Sequence, residues 1–348
     1  MTIAERVPLS SLTTFKVGGE ARYVLTCESI EDIQTALAFT RERGLPFVVL
    51  GEGSNVLPSD DGYPGTILLM RMRGISEVEQ GDDLLVTAGA GESWEDLVRY
   101  AASKEWWGVE NLAGIPGTVG AAPVQNIGAY GMELAHMLDH VEAFDTKDGV
   151  LKSFDTSGCG FGYRDSRFKH EPALIITSVT LRLQKNGTPR IDYADLRAAA
   201  AEGKDLSSPS AIGTTVREVR SRKFPDLREY GTAGSFFKNP ILSHEEYELL
   251  TKRYQTEAEA LGGIPSFPLD GNVKIPLAFI LDKLLGLRGY EHGTTFLFGN
   301  QPLVLVAKPG ATASDVEALA HDIEERVHDA TGITIEREVR FVSAHEAK

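Results

Sequence analysis

The chain has 348 residues, 42% of them hydrophobic and 24% charged, and a formal net charge of −15 at pH 7. This length suits about two or three domains. The acidic balance argues against broad binding to nucleic acid or to an anionic membrane surface, so an anionic ligand would have to be met by positive charge concentrated locally.

The N-terminal MTIAERVPLSSLTTF lacks the apolar core of a signal peptide, and no apolar run reaches the length that spans a bilayer. Cys27 and Cys159 are too few for a disulfide framework. A cytoplasmic protein without membrane insertion is expected. His136 and His140 stand four apart, a spacing that suits a metal on a helix, but no third ligand is near, and no metal is expected.

Residues 28–43 carry Ile30, Ile33, Leu37 and Phe39 at helical spacing, and Gly44 stops that helix. FVVL at 47–50 reads as a buried strand running into Gly51-Glu52-Gly53-Ser54-Asn55. Residues 66–70 and 84–88 read as strands, and Ser93 caps a helix reaching about Ser103. Neither glycine turn is a dinucleotide fingerprint. Val56 stands where the third glycine would follow Gly51 and Gly53, and Trp94 where it would follow Gly89 and Gly91. No Walker A motif is present. A doubly wound cofactor fold is therefore not expected.

From Leu112 to Gly131, five glycines fall within twenty residues that include no Lys, Arg, Asp or Glu. Glycine lets backbone N–H groups approach a ligand closely, and successive free N–H groups form nests for anions. The run is a candidate for wrapping a phosphate-bearing cofactor; the plain alternative is a long surface loop.

Residues 141–146 and 150–154 read as a hairpin about Lys147-Asp148-Gly149, and 173–183 as a long strand. Residues 209–223 read as a helix with Ile212, Val216 and Val219 inward. Phe224-Pro225-Asp226 ends it and marks a domain boundary. Helices near 244–254 and 276–285 follow, then a strand at 303–307. Ser314 and Glu317 form a capping box for a helix reaching Ala330. The last strand spans 333–342, with Ile333, Ile335, Val339 and Phe341 on one face and Glu336, Glu338 and Arg340 on the other.

Chemistry can sit at four places. Ser235, in GTAGSFFKNP, lacks the final glycine of G-x-S-x-G, which favours a proton donor or ligand contact over an acyl-transfer nucleophile. Arg164 follows Gly160, Gly162 and Tyr163, and its planar guanidinium suits a carboxylate; Arg164-Asp165 reads equally as a surface ion pair. Arg217, Arg220, Arg222, Lys223 and Arg228 gather the charge that would draw a phosphate, or form a solvated basic face. Glu338 on the last strand suits proton transfer if its neighbours tune it, although a surface glutamate is the commoner case.

Together the segments TTFKVGG (13–19), LGEGSNVL (50–57), IPGTVGAAPVQNIGAYG (115–131), GYRDSRFK (162–169), GSFFKNP (234–240) and EREVRF (336–341) resemble, in order, the UDP-N-acetylenolpyruvoylglucosamine reductase family, known as MurB. Tyr193 in IDYADLR and the chain length are similar to the longer type I subgroup, with a tyrosine-bearing loop over the substrate.

This resemblance implies an α+β fold with a two-part FAD-binding domain of the PCMH / vanillyl-alcohol-oxidase type and a third, substrate-binding α+β domain. It divides the chain into 1–68, 69–224 and 225–331, with 332–348 packing back toward the flavin domains. It implies bound FAD, NADPH as co-substrate, and reduction of an enolpyruvyl UDP-sugar to UDP-N-acetylmuramate for peptidoglycan. Arg164, Ser235 and Glu338 fall on the catalytic positions, and Glu336 is the fallback for Glu338. Flavin contacts fall on Gly51, Glu52, Gly53, Ser54, Asn55, Ile115, Pro116, Gly117, Thr118, Gly120, Gln125, Asn126, Gly128 and Ala129. Substrate or NADPH contacts fall on Tyr130, Tyr193, Lys223, Asn239 and Gln301. A monomer is expected. Arg337, where some relatives carry proline, and the Gly-Thr-Ala before Gly234 depart from the family pattern. The rival readings are an O₂-using flavin oxidase of the same cofactor fold and a non-catalytic sugar-nucleotide sensor.

Overall fold

The structure is a computed structural model that describes residues 1–344; the remainder of the expected C-terminal segment, 345–348, lies outside the described residues. The chain opens with β1 (Thr2–Pro8), β2 (Glu20–Cys27), α1 (Ile30–Glu42), β3 (Phe47–Leu50), β4 (Val56–Pro58) and β5 (Tyr63–Met70). The first sheet has the order β1-β2-β5-β3, with β2 and β3 parallel to β5 and β1 antiparallel to β2. Helix α1 begins where Ser29 Oγ accepts the Asp32 N–H, and Glu31 and Asp32 suit its positive end. It buries Ile33, Ala36 and Leu37 against Leu25 and Leu68 of the sheet.

The next stretch holds β6 (Ile75–Gln80), β7 (Asp83–Gly89), α2 (Trp94–Ser103), the short β8 (Gly128–Ala129) and β9 (Met132–Glu133), β10 (Leu138–Asp145), β11 (Val150–Asp155), α3 (Arg167–His170), β12 (Leu174–Gln184), α4 (Ala194–Ala201) and α5 (Pro209–Lys223). Five strands form an antiparallel sheet in the order β11-β10-β12-β7-β6. Alternation along β7 turns Leu84, Val86 and Ala88 inward, where they join Trp94 and Leu97 of α2 and Ile212 and Val216 of α5 in one core. Ser93 caps α2 through the Asp96 N–H. Ser208 caps α5, with Pro209 in its first turn. His136 closes a 3₁₀ turn while His140 lies in β10, so this pair does not share a helix.

The third stretch contains β13 (Ile241–Leu242), α6 (His244–Arg253), α7 (Gln255–Ala260), β14 (Phe267–Leu269), β15 (Asn272–Lys274), α8 (Leu277–Phe279), β16 (Glu291–His292), β17 (Thr295–Leu297), β18 (Leu305–Ala307), α9 (Ala313–Thr331) and β19 (Arg340–Val342). Strands β14 and β15 join through Asp270-Gly271, both at positive φ (47° and 76°), as a tight hairpin turn requires. A core of Phe236, Phe237, Ile280, Leu281, Leu305, Leu319 and Ile323 lies beneath these elements.

Three expectations change. The helix at 276–285 is the short α8 followed by a π-turn at Ile280–Leu284, because the Leu285 N–H reaches back to the Ile280 carbonyl. The capping box of α9 is Thr312 with Asp315, not Ser314 with Glu317. Asp60 takes the Ser314 N–H and hydroxyl at 2.8 and 2.7 Å and the Ala313 N–H at 2.8 Å, so Ser314 is held by a remote loop inside the first turn. The last strand is only β19, paired parallel with β4. Residues 333–339 keep the expected burial of Ile333, Ile335 and Val339. They find no continuous ladder partner and meet segment 236–238 through an isolated bridge, Phe237 to Arg337.

Candidate active site

Two glycine loops face one another at the centre. Loop 51–55 leaves β3 and loop 115–131 follows α2. The Gly117 N–H donates to Glu52 Oε2 at 3.0 Å, tying one loop to the other. Gly53 has φ +63°, and a Cβ there would stand 2.2 Å from the Leu12 carbonyl oxygen, so only glycine fits. Gly117 has φ +123°, and a Cβ would stand 2.8 Å from Ser54 Oγ. Among the described residues the Gly53 and Ser54 N–H groups make no hydrogen bond, which leaves successive donors for an anion. Arg71 lies behind the loop, donating from Nη1 to the carbonyls of Gly51 and Met70 at 3.1 and 2.8 Å. Burial, and then Arg73, holds its pKa below the ordinary value. No motif in the sequence singles out this arginine.

Beside the loops, three remote segments meet. Arg164 Nε stands 3.1 Å from Glu338 Oε1, with side chains 20% and 13% exposed. Arg164 also donates from Nη2 to the Gly128 carbonyl at 2.8 Å. The Glu338 carbonyl accepts from Asn55 Nδ2 at 3.1 Å and Gln125 Nε2 at 3.2 Å, one donor from each glycine loop. The Glu338 N–H donates to the Phe236 carbonyl at 2.8 Å, which fixes the residue after Ser235 against the carboxylate-bearing segment. Ser235 itself is half-buried, bridged to Val304, and followed by the buried Phe236 and Phe237. Burial raises the Glu338 carboxyl above its ordinary range, against the pull of Arg164, Lys169 and Lys238.

Arg164, Asn126 and Tyr130 have positive φ (54°, 43° and 49°), strained backbone of the kind that gathers at working sites. Asn126 is held by Glu133 Oε2, the Gly162 carbonyl and the Ala135 N–H. Asp165 pairs with His170 rather than with Arg164, which removes the surface-pair reading. Glu336 is an exposed residue paired with Lys238, so the fallback for Glu338 does not enter the site.

Most of the basic cluster is engaged rather than open, and Arg222 stays exposed. Arg217 pairs with Glu95 at 2.5 Å, and Lys223 with Asp195 at 2.6 Å. Arg220 donates to the Gly114 carbonyl at 3.0 Å and stacks over Phe224. Arg228 pairs with Asp226. Tyr130 packs edge-on against the exposed Tyr193, ring centroids 5.3 Å apart. Burial pushes the Tyr130 hydroxyl up to about 12. Asn239 Oδ1 accepts the Leu277 N–H at 2.9 Å, and the Asn239 N–H reaches Tyr163 Oη at 3.4 Å. Gln301 forms the turn before β18, its carbonyl accepting the Val304 N–H. Ile115, Thr118, Gly120 and Ala129 lie along the central loop, and Pro116 is exposed on it.

A sequence family described as FAD binding domain matches residues 21–155, and one described as UDP-N-acetylenolpyruvoylglucosamine reductase, C-terminal domain, matches 226–342. A reductase of that name from Pseudomonas aeruginosa is 39% identical over 342 residues, covering 97% of this chain and 98% of the relative. The chain belongs to the UDP-N-acetylenolpyruvoylglucosamine reductase family. The Escherichia coli reductase of the same name is 36% identical over 97% of the chain and 96% of the relative. The solved MurB from Thermus caldophilus superposes with a TM-score of 0.67 at 26% identity, covering 98% of this chain and all of that one. The chain is thus an FAD-dependent oxidoreductase with the α+β architecture that its sequence implied. Among the described residues no helix is long and apolar enough to cross a membrane.

The residues present fit a flavin dinucleotide. The free donors at Gly53 and Ser54, the uncharged loop opposite and the cation of Arg71 suit its diphosphate.

Proposed function

We propose that this enzyme reduces UDP-N-acetyl-3-O-(1-carboxyvinyl)glucosamine to UDP-N-acetylmuramate with NADPH, in the cytoplasm and as a monomer of the type I subgroup. FAD, held by residues 51–55 and 115–129, supplies the chemistry that takes a hydride from NADPH and gives it to the outer carbon of the enol ether. Residues 1–68 and 69–224 form the flavin-binding parts and 225–331 the substrate-binding part, with the C-terminal segment returning to the flavin side.

Hydride arrival leaves negative charge on the carbon that bears the carboxylate, and this charge spreads onto the carboxylate oxygens. Arg164 holds that charge in a preorganised position. Glu338, drawn toward its protonated form by burial, donates a hydrogen bond to it. Ser235 Oγ gives its proton to the same carbon, which completes the lactyl ether. A serine hydroxyl is a weak acid, so the positive groups around Glu338 (Arg164, Lys169 and Lys238) assist the transfer. Tyr130, Tyr193, Lys223, Asn239 and Gln301 orient the nucleotide. Phe236 and Phe237 back the serine and keep water from that side.

What supports this reading above all is the contact of Arg164 with Glu338, beside the segment that carries Ser235. The test is anaerobic. The yellow protein is expected to bleach with NADPH and regain its colour with the enolpyruvyl UDP-sugar. In a parallel run under air, reoxidation by O₂ together with no response to that sugar would favour an oxidase.

A further inference from the structure

Arg164 stands on a turn that its own residue type does not favour. Gly162 and Asp165 pair across residues 163 and 164, with the Gly162 N–H on the Asp165 carbonyl at 3.0 Å and the Asp165 N–H on the Gly162 carbonyl at 3.3 Å. Arg164 fills the third position of this turn at φ +54°, where glycine or asparagine normally stands. Backbone strain of this kind persists only where the surroundings fix it. The central glycine loop supplies that fixing at two points. The Ser166 hydroxyl donates to the Val124 carbonyl at 2.8 Å, and Asn126 Nδ2 donates to the Gly162 carbonyl at 3.2 Å. One bond holds each end of the segment that carries Tyr163 and Arg164.

Asn126 is 2% exposed. Its amide has two N–H groups to give. One goes to Gly162 and the other to Glu133 Oε2 at 2.9 Å, while Oδ1 accepts the Ala135 N–H at 3.0 Å. Two acceptors on one side and a donor on the other allow a single orientation of the amide. Glu133 lies opposite Gly128 in the β8–β9 hairpin, and the Gly128 carbonyl accepts from Arg164 Nη2 at 2.8 Å. The same short hairpin thus aims the Asn126 amide and receives the guanidinium. The Asn126 backbone is left-handed, with φ 43° and ψ 62°, which asparagine tolerates through its short polar side chain. The family resemblance puts this residue among the flavin contacts, but its side chain has no N–H left for a ligand.

We infer that Asn126 is a positioning residue for Arg164: its amide, aimed by Glu133, holds the turn on which the guanidinium stands, and its side chain is not a flavin ligand. The inference rests on the charge-holding role proposed above for Arg164. A guanidinium released from this hold still faces Glu338 but meets the charge that develops on the substrate less well.

The experiment is a double-mutant cycle on the flavin-loaded enzyme. Asn126→Gly removes the amide and keeps the positive φ at no steric cost, which Asn126→Ala would not. Wild type, Asn126→Gly, Arg164→Lys and the double variant are reduced with NADPH and mixed anaerobically with saturating enolpyruvyl UDP-sugar. FAD release on dilution is followed separately by flavin fluorescence. Asn126→Gly is expected to retain FAD within about threefold of wild type, because the amide has no free donor to offer it. Its reoxidation is expected to slow by about tenfold or more. Added to Arg164→Lys, the same change is expected to cost no more than about twofold, because the group it serves is already lost. A loss of about tenfold in both backgrounds would overturn the proposal, since the two residues would then act independently. So would wild-type reoxidation by Asn126→Gly. Should Asn126→Gly lose its flavin, Asn126→Asp, which keeps the shape and gives up both donors, carries the same expectations. Loss of FAD by both variants would assign the amide to the flavin and overturn the proposal. Wild-type reoxidation by Arg164→Lys would instead remove the role of Arg164 on which the inference rests.

Discussion

Arg164 and Glu338 are joined at 3.1 Å across about half the length of the chain, and the main-chain carbonyl of Glu338 is gripped by Asn55 and Gln125. The carboxylate is therefore positioned by the glycine loops proposed to hold the cofactor, and the guanidinium by its bond to Gly128 in the same loop system. In the proposed mechanism, cofactor and acid–base groups share one frame.

Arg164→Lys keeps a positive charge but loses the fork that reaches Glu338 and the Gly128 carbonyl together. Reoxidation of the reduced enzyme by the enolpyruvyl substrate should slow by about 10²–10³-fold. Anaerobic stopped-flow absorbance checks this, and a near-wild-type rate would remove Arg164 from charge stabilisation.

Ser235→Ala should still be bleached by NADPH, because in the proposed mechanism the hydroxyl serves only the second half of the cycle. Recovery of colour with the enolpyruvyl substrate should fall by about 10²–10⁴-fold, the usual worth of a placed proton donor. Normal turnover in this variant would end the donor assignment.

Glu338→Gln should change how stability responds to pH. Burial lifts the native carboxyl above its ordinary value of 4.5. The folded state then holds more protons than the unfolded state in the window above that value. Stability contributed at low pH is lost as pH rises through the native pKa. The wild type should therefore lose stability relative to Glu338→Gln from about pH 4.5 upward, by at most about 1.4 kcal/mol per pH unit. Urea unfolding of both proteins across that range checks it. A relative gain by the wild type would mean that Arg164, not burial, governs the carboxyl.

Gly53→Ala and Gly131→Ala separate conformational strain from lack of space. Both glycines have positive φ, but a Cβ at Gly131 meets nothing within 4 Å, whereas one at Gly53 collides with the Leu12 carbonyl at 2.2 Å. Gly131→Ala should cost about 1–2 kcal/mol. Gly53→Ala should cost about 3 kcal/mol or more and lower the bound flavin. Thermal unfolding and the visible absorbance of the purified proteins decide, and equal effects would refute the argument from close approach.

Local signals were legible where they agreed with tertiary demands. Helix α5 runs from Pro209 to Lys223 as read, because Ser208 and Pro209 start it and Pro225 forbids its continuation. The start of α9 lies at Thr312 and not at Ser314, because two overlapping Ser/Thr-x-x-acid patterns compete there and Asp60, remote in sequence, occupies Ser314. The alternation at 333–342 reported burial correctly, yet a strand also needs a neighbour, and among the described residues only 340–342 have one. The Arg164–Glu338 contact was reached through a family resemblance; spacing alone left Arg164 equally suited to Asp165. Strands β13 to β15 are too short to show a period, although Asp270-Gly271 is a hairpin signal in plain view.

The parallel pairing of residues 56–58 with 340–342 has a consequence for biosynthesis. Strand β4 waits for β19, which is made much later, and Glu338 lies just before that late strand. The ribosome releases residues 56–58 long before residues 340–342. The earlier strand therefore emerges with an edge of its backbone unsatisfied, and the proposed reaction centre closes only once residues 338–342 are made.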